Sequence, residues 1–290
     1  GALVVHNTDS VMVNFNTKAM EKEQNKSALE LSFILGNEAA DRITGTFKRP
    51  IELEFEKCYS PYLLFSKKRY AGLMYTRPDK PDYIDAKGIQ LVRRDNAPFV
   101  KDISKTVLHK IMYDRDILGS MDLVQDRARD LLEGRIPVDQ LIVSKSLRKD
   151  YANDKQPHLT VASKIEMRNP GSGPKCGERV PYLIMNTGNN KDLLYQRSED
   201  PNYVLENGLH HKVDRLYYLE HGLVSPLESF FDLFVDKSKE AIFGDIIRKY
   251  QNQRKGEQNG SVITSFFQTK SINKKDGPDK KKKVELKKEK

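Results

Sequence analysis

The sequence is short of cysteine and of long apolar runs, and each shortage excludes a class of protein. Only Cys58 and Cys176 occur in 290 residues, far apart and without CxxC spacing. A disulfide framework and a structural zinc site are excluded on that count, and a reducing, intracellular compartment is expected. No run of about 18 apolar residues exists, so the chain offers no candidate transmembrane helix. The stretch Gly1 to Val5 is too short and too uncharged for a secretory signal. There is no internal repeat, and "GSGP" (171–174) lacks the Lys-Ser/Thr of a phosphate loop.

What is present is charge. The chain holds 50 Lys and Arg against 41 Asp and Glu, a net charge of +9. Residues 255–290 carry eleven of the lysines and five acids, so +6 lies in that stretch and about +3 in the rest. The remaining basic residues cluster as Lys67-Lys68-Arg69, Arg93-Arg94 and Arg148-Lys149. Such clusters suit a polyanionic partner, because neutralising phosphates releases counterions. At this length two modest domains are expected.

Hydrophobic periodicity gives a coarse architecture. Val11–Phe15 alternates as a strand. Ser27 and Glu30 have capping-box spacing, and Leu31, Ile34, Leu35, Ala39 and Ile43 follow at helical intervals up to Gly45. "IELEFEKCY" (51–59) alternates as a half-buried strand. Residues 61–76 predict a strand or hairpin broken at Ala71-Gly72, and Arg77–Asp85 a Pro- and Asp-rich surface loop. Beyond residue 95 the pattern turns helical: Phe99, Ile103, Val107 and Ile111 fall four apart, and a second helix covers Met121 to Leu132. Short strands are expected at Leu141–Val143 and Val180–Met185, and helical patches at Val213–His221 and Leu227–Tyr250. From Asn252 onward the composition predicts disorder. The expected fold is α+β: an antiparallel sheet with a helix, then a mostly helical region, then a disordered basic tail.

One short stretch carries chemistry. In "TDSVMV" (8–13) an acidic residue sits in a tight turn ahead of an apolar strand, which suits a hard divalent cation at a sheet edge. Alone this is weak, since a capping turn looks the same. With "IELEFEKCYSPYLLFSKKRYAGLMY", "KGIQLVRRDNAPFV", "PGSGPKCGERVPYLIM" and "EDPNYVLENGL" behind it in order, the chain resembles the family B DNA polymerases over roughly residues 8 to 235. The delta type of eukaryotes and their large DNA viruses is the most similar.

The resemblance implies a palm remainder over 8–97, a thumb over 98–250 and a tail over 251–290. It implies that Asp9 is a catalytic, metal-ligating aspartate bridging two Mg²⁺ ions, with Thr8 and Ser10 shaping the hairpin. Two ions stabilise the attacking and leaving oxygens of an in-line phosphoryl transfer. Lys67, Lys68, Arg69 and Tyr70 match the motif that grasps freshly paired primer–template DNA, whose minor-groove acceptors are alike for all correct pairs. Lys87, Gly88, Arg93, Arg94 and Asp95 match the junction that tracks the duplex backbone. Deoxynucleoside triphosphates are the implied substrates. Glu54 and Glu56 fit a solvated strand face better than an auxiliary metal site, and His210, His211 and His221 fit surface histidines.

The hairpin departs from the family, which has Tyr-Gly-Asp ahead of Thr-Asp-Ser. Here Val5, His6 and Asn7 stand there. "LVVHN" before Thr8 resembles the end of an intein, in which the last asparagine cyclises, the preceding histidine assists by proton transfer and the next Ser, Thr or Cys is the nucleophile. His6, Asn7 and Thr8 fill those roles, so residues 1–7 are expected to be an intein remnant. A degenerate hairpin is the competing reading.

In "GSVITSFFQTK", Ile263, Phe266 and Phe267 have the spacing of a sliding-clamp binding box, with Gly260 where its glutamine belongs. "PDKKKKVELKKEK" (278–290) is a nuclear-import signal, a DNA-binding arm or a solubilising end. Delta-type enzymes of cells end in cysteine-rich metal modules, and their lack here implies a viral relative acting in the host nucleus or a viral replication compartment. The expected function is Mg²⁺-dependent DNA synthesis, completed by an upstream portion of the same polymerase. The alternative is a noncatalytic subunit that binds DNA and the clamp.

Overall fold

A computed structural model describes residues 3–6, 10–21, 25–89, 95–189 and 191–258. The chain falls into two compact units, residues 1–92 with 108–116, and residues 93–107 with 117–290.

In the first unit, β1 (Leu3–His6) and β2 (Val11–Asn14) form an antiparallel pair with Val5 opposite Met12 and His6 opposite Val11. Helix α1 (Ala28–Thr44) starts where the sequence predicts. Ser27 accepts a hydrogen bond from the Glu30 amide, and Glu30 accepts one from the Ser27 amide. This capping box satisfies two otherwise unpaired donors. Of the predicted stripe Leu31 is buried and Leu35 and Ala39 are half-buried, but the buried face continues through Gly36 and Ala40, leaving Ile34 and Ile43 exposed. Gly36 is the reason. The Phe55 ring lies on it so closely that a Cβ there would come within 2.5 Å of Phe55 Cδ2.

That ring belongs to the segment expected as a strand over 51–59. Residues 51–57 join no ladder. They run as an extended strap whose polar backbone is met by the helix: the Leu53 amide donates to Thr44 Oγ1 at 2.8 Å, and Thr44 Oγ1 donates to the Leu53 carbonyl at 3.1 Å. A side chain that takes both backbone groups leaves the strap no reason to pair. Regular pairing begins at β3 (Cys58–Ser66), which runs antiparallel to β4 (Arg69–Tyr75), itself antiparallel to β5 (Tyr83–Lys87).

Two further expectations are corrected here. The break falls at Lys67-Lys68, with Lys68 in the left-handed region (φ 63°), while Ala71 and Gly72 are buried in mid-strand. The loop predicted to Asp85 ends earlier, because Tyr83–Lys87 pairs with Tyr70–Met74. As the central strand, β4 is buried on both faces from Tyr70 to Met74. A π-helical turn over Lys110–Asp114 packs against it with Ile111 and Met112 buried.

In the second unit the predicted apolar stripe of α2 (Pro98–His109) is buried, with Phe99, Ile103 and Val107 each at most 1% exposed. Helix α3 (Ile117–Leu132) contributes Val124, Ala128 and Leu131 to the core. A second antiparallel sheet orders β6 (Val143–Ser146), β7 (Arg179–Ile184) and β8 (Ser198–Glu199). Around it stand α4 (Pro157–Arg168), which the sequence pattern does not flag, α5 (Pro201–Glu206) and the single turn α6 (Arg215–Tyr217). A π-helical stretch, Tyr218–Val224, leads to α7 (Ser225–Phe231) and α8 (Ser238–Gln258). Phe230, Phe231 and Phe243 are fully buried. The tail expected from residue 251 is helical as far as Gln258. No helix among the described residues is long and apolar enough to cross a membrane.

Candidate nucleic-acid interface

One end of the β3-β4-β5 sheet gathers six residues that the sequence singles out, Lys67, Lys68, Arg69, Tyr70, Lys87 and Gly88. Lys67 and Lys68 form the exposed β3–β4 turn, and neither makes an ion pair among the described residues. Arg69 and Tyr70 open β4, and Lys87 closes β5 directly opposite Tyr70. Two motifs separated by some seventeen residues thereby become neighbours. Arg69 Nε donates to the Gly88 carbonyl at 3.2 Å. Gly88 has φ +68°, and a Cβ on it would collide with the Lys68 carbonyl oxygen, so only glycine lets the two segments approach this closely.

Beneath the cations lies a polar cluster that sequence reasoning missed. Asp85 is 7% exposed, and a carboxylate there needs partners. Its Oδ2 accepts from Tyr59 Oη at 2.7 Å and Tyr70 Oη at 3.2 Å, and Lys87 Nζ stands 3.7 Å away. The strand registry explains the reach. Gly72 is opposite Tyr62 on one side and Asp85 on the other, and the Tyr59 ring crosses over Gly72 to meet the acid. A side chain at 72 would block it. Tyr62 completes a trio with ring centroids 5.3 Å from Tyr59 and 5.5 Å from Tyr70, and its buried hydroxyl has no hydrogen-bond partner among the described residues.

The electrostatics follow from this packing. Burial first, and then the hydrogen bond to Asp85, push the Tyr59 hydroxyl far above its ordinary range. Burial, with the charge of neighbouring groups, raises Tyr62 to about 12. The Asp85 carboxylate raises Lys87. Near neutral pH Tyr59 and Tyr62 are therefore neutral and Lys87 is charged. A signal for it was present in "YIDAK", where Ile84 and Ala86 alternate with Tyr83, Asp85 and Lys87. The prolines and aspartates just before it masked that pattern.

The remaining candidates are placed as follows. Ser10 is exposed just ahead of β2. Glu54 and Glu56 are exposed on the strap. Thr8, Asp9, Asn7, Arg93, Arg94, Ile263, Phe266 and Phe267 lie outside the described residues, and of His6 only the backbone is described. His210, His211 and His221 are exposed, and no three His, Cys, Asp or Glu side chains converge as a metal site among the described residues. The amides of Gly171 and Gly173 both donate to the Glu166 carboxylate, at 2.9 and 2.8 Å, so the glycine loop is already occupied by an internal anion. In the second unit the exposed Arg148 follows β6. Its amide donates to Tyr151 Oη at 2.8 Å, and that hydroxyl lies 2.9 Å from Nε2 of the buried His158.

The pattern of the DNA polymerase family B matches residues 3–234, beginning ahead of Thr8. The chain is similar to the DNA polymerase delta catalytic subunit of Drosophila melanogaster, 45% identical over 243 residues, which cover 83% of this chain and 21% of that protein. With the Candida albicans subunit it is 44% identical over 248 residues, covering 85% and 23%. It also resembles the solved family B DNA polymerase of Pyrobaculum calidifontis at 23% identity and a TM-score of 0.49, over 80% of this chain and 26% of that one. The chain thus spans about a fifth of the length of the delta subunits it matches.

Proposed function

Because the chain belongs to the family B DNA polymerases, we propose that it forms part of a delta-type DNA-directed DNA polymerase, with a palm remainder over 8–97 and a thumb over 98–250. The observation that carries this reading is the cationic sheet end, where Lys67, Lys68, Arg69 and Lys87 project from a rigid three-stranded scaffold. Arg69 and Lys87 stand on paired strands, and Lys67 and Lys68 on the two-residue turn that joins two of those strands. Such short-tethered cations hold a duplex in register better than cations on a long loop, because less freedom is lost on binding. The exposed Arg148 and Lys149 of the second unit extend the same chemistry. The reaction served is attack of a primer 3′-hydroxyl on a deoxynucleoside triphosphate, releasing pyrophosphate. This chain binds and orients the duplex.

Asp9 is proposed as a Mg²⁺ ligand, with the other ligands drawn from the part of the delta subunits that this chain does not span. The described residues by themselves do not fit a metal ion, so no catalytic step is assigned to it here. The test is primer extension. The chain alone is expected to give none, activity appears when the upstream polymerase portion is supplied, and Asp9→Ala removes it. Extension by the chain alone, or activity indifferent to Asp9→Ala, overturns the proposal.

Residues 1–7 are proposed to be an intein remnant, supported by the order His6-Asn7-Thr8. Expression of the gene with the frame preceding Gly1 is then expected to yield a ligated product lacking residues 1–7. Asn7→Ala should block its release. A product that keeps residues 1–7 in wild type rejects this reading in favour of a hairpin that holds asparagine for aspartate.

A further inference from the structure

The four cations of the sheet end are not equivalent. Lys67 and Lys68 face solvent without an ionic partner among the described residues, whereas Lys87 stands 3.7 Å from Asp85 Oδ2. The lysine side chain is 60% exposed and the acid 9%. The other two groups on that oxygen, the Tyr59 and Tyr70 hydroxyls, bring hydrogen bonds but no charge. Of the four sheet-end cations, Lys87 is therefore the one within 4 Å of a buried anion among the described residues. Drawing Lys87 onto a phosphate would strip the carboxylate of its counterion and set a second negative charge beside it. Both effects oppose the move.

We propose that Asp85 is a positioning residue that holds Lys87 as a charge-compensated hydrogen-bond donor for uncharged acceptors of the duplex, the base edges and sugar oxygens of the minor groove, and leaves phosphate neutralisation to the uncompensated cations. This rests on the duplex-grip reading above, and it shifts the division that the resemblance implies, in which the Lys67–Tyr70 motif meets the minor groove and Lys87 tracks the backbone. The argument is one of charge: counterion release follows net positive charge delivered to the phosphates, and the Asp85–Lys87 pair delivers none. The upward shift of Lys87 by Asp85 agrees with a lysine that stays charged.

Salt titration separates the two kinds of cation. Binding of the 290-residue chain to a fluorescein-labelled DNA hairpin duplex is followed by anisotropy from about 50 to 300 mM NaCl, where each phosphate neutralised adds roughly 0.9 to the slope of log K against log salt. Lys67→Gln and Lys68→Gln are each expected to lower the slope by about 0.9. Lys87→Gln should weaken binding about three- to tenfold, as loss of one hydrogen bond to a neutral acceptor does, with the slope unchanged. Asp85→Asn keeps an acceptor for the tyrosines and frees the Lys87 charge, so the slope should rise by about 0.9. The double variant Asp85→Asn/Lys87→Gln should return it to the parent value. A merely structural Asp85 would move stability but not this slope.

The proposal is overturned if Lys87→Gln lowers the slope as Lys67→Gln does, or if Asp85→Asn leaves it unchanged. Lys87→Gln leaves Asp85 both of its tyrosine hydrogen bonds, and the urea midpoint of each variant is taken beside its slope, so that Lys87→Gln decides the matter where Asp85→Asn does not fold. A slope indifferent to Lys67, Lys68 and Lys87 alike sinks the duplex-grip reading itself, and this proposal with it.

Discussion

Replacing Gly72 with alanine tests whether the sheet end is built around the passage of Tyr59 over the central strand. The added Cβ would lie 2.7 Å from Tyr59 Cδ1 and 3.1 Å from Cγ. Real carbons do not approach that closely, so the ring must tip away. Opposing terms decide the sign. Alanine in a strand interior gains about 0.5–1 kcal/mol over glycine through the unfolded state. Forcing a methyl into a packed site costs about 1–3 kcal/mol. A tipped ring also surrenders the 2.7 Å hydrogen bond to Asp85, and a bond to a charged acceptor contributes about 1.5–3 kcal/mol. The net loss expected is about 2–4 kcal/mol by these terms. Urea unfolding is followed by far-UV circular dichroism, since the chain contains no tryptophan and its fluorescence is shared among thirteen tyrosines. Tyr59→Phe removes only the hydroxyl and should lose about 1.5–3 kcal/mol. If alanine acts by displacing the ring, the double variant is less destabilised than the sum of the singles, by about the worth of the shared bond. A Gly72→Ala protein within about 0.5 kcal/mol of wild type, or losses that simply add, would refute the geometry.

Three further outcomes are expected. Gly88→Ala combines a positive φ with a collision against the Lys68 carbonyl. It should lose about 1–3 kcal/mol in the same unfolding assay, and duplex affinity should fall with it; an unchanged midpoint counts against the close approach. Glu199 is half-buried, which alone would raise its carboxyl, but Arg168, the Asp200 amide and Lys164 outweigh burial and hold it below 4.5. A folded value below the unfolded one stabilises above pH 4.5 and ceases to as pH falls through the folded value. Acid unfolding should therefore begin at higher pH in Glu199→Gln than in wild type, and identical acid limbs would exclude Glu199 as a contributor. Phe266→Ala with Phe267→Ala should abolish stimulation of processivity by a sliding clamp, and unaltered processivity removes the clamp-binding reading.

What the sequence made legible follows from how local each determinant is. The start of α1 was readable because a capping box is complete within four residues. The α2 stripe was readable because Phe99, Ile103 and Val107 are all driven inward by one helical period. The strap at 51–57 was not, since alternation records which side chains are half-buried and says nothing of where the backbone hydrogen bonds go. There a single threonine, seven residues before the strap begins, takes the pairing that a strand would need. Gly36 and Gly72 were invisible for a related reason: a glycine is read as a break, yet here each is a place where a ring from another segment lies against bare backbone.

Asp85 marks the limit most sharply. Aspartate is disfavoured in strands, so composition assigns it to a loop, and only the registry with β4 shows that two tyrosines and a lysine make its burial tolerable. The cationic motif was legible as charge, but its charges are sorted by an acid that the motif does not contain. Counting Lys67, Lys68, Arg69 and Lys87 as four equal contacts would overstate the salt dependence of binding by about one phosphate. The number of phosphates a cationic surface grips is set by net charge after pairing, and that quantity belongs to the folded sheet rather than to any run of residues along the chain.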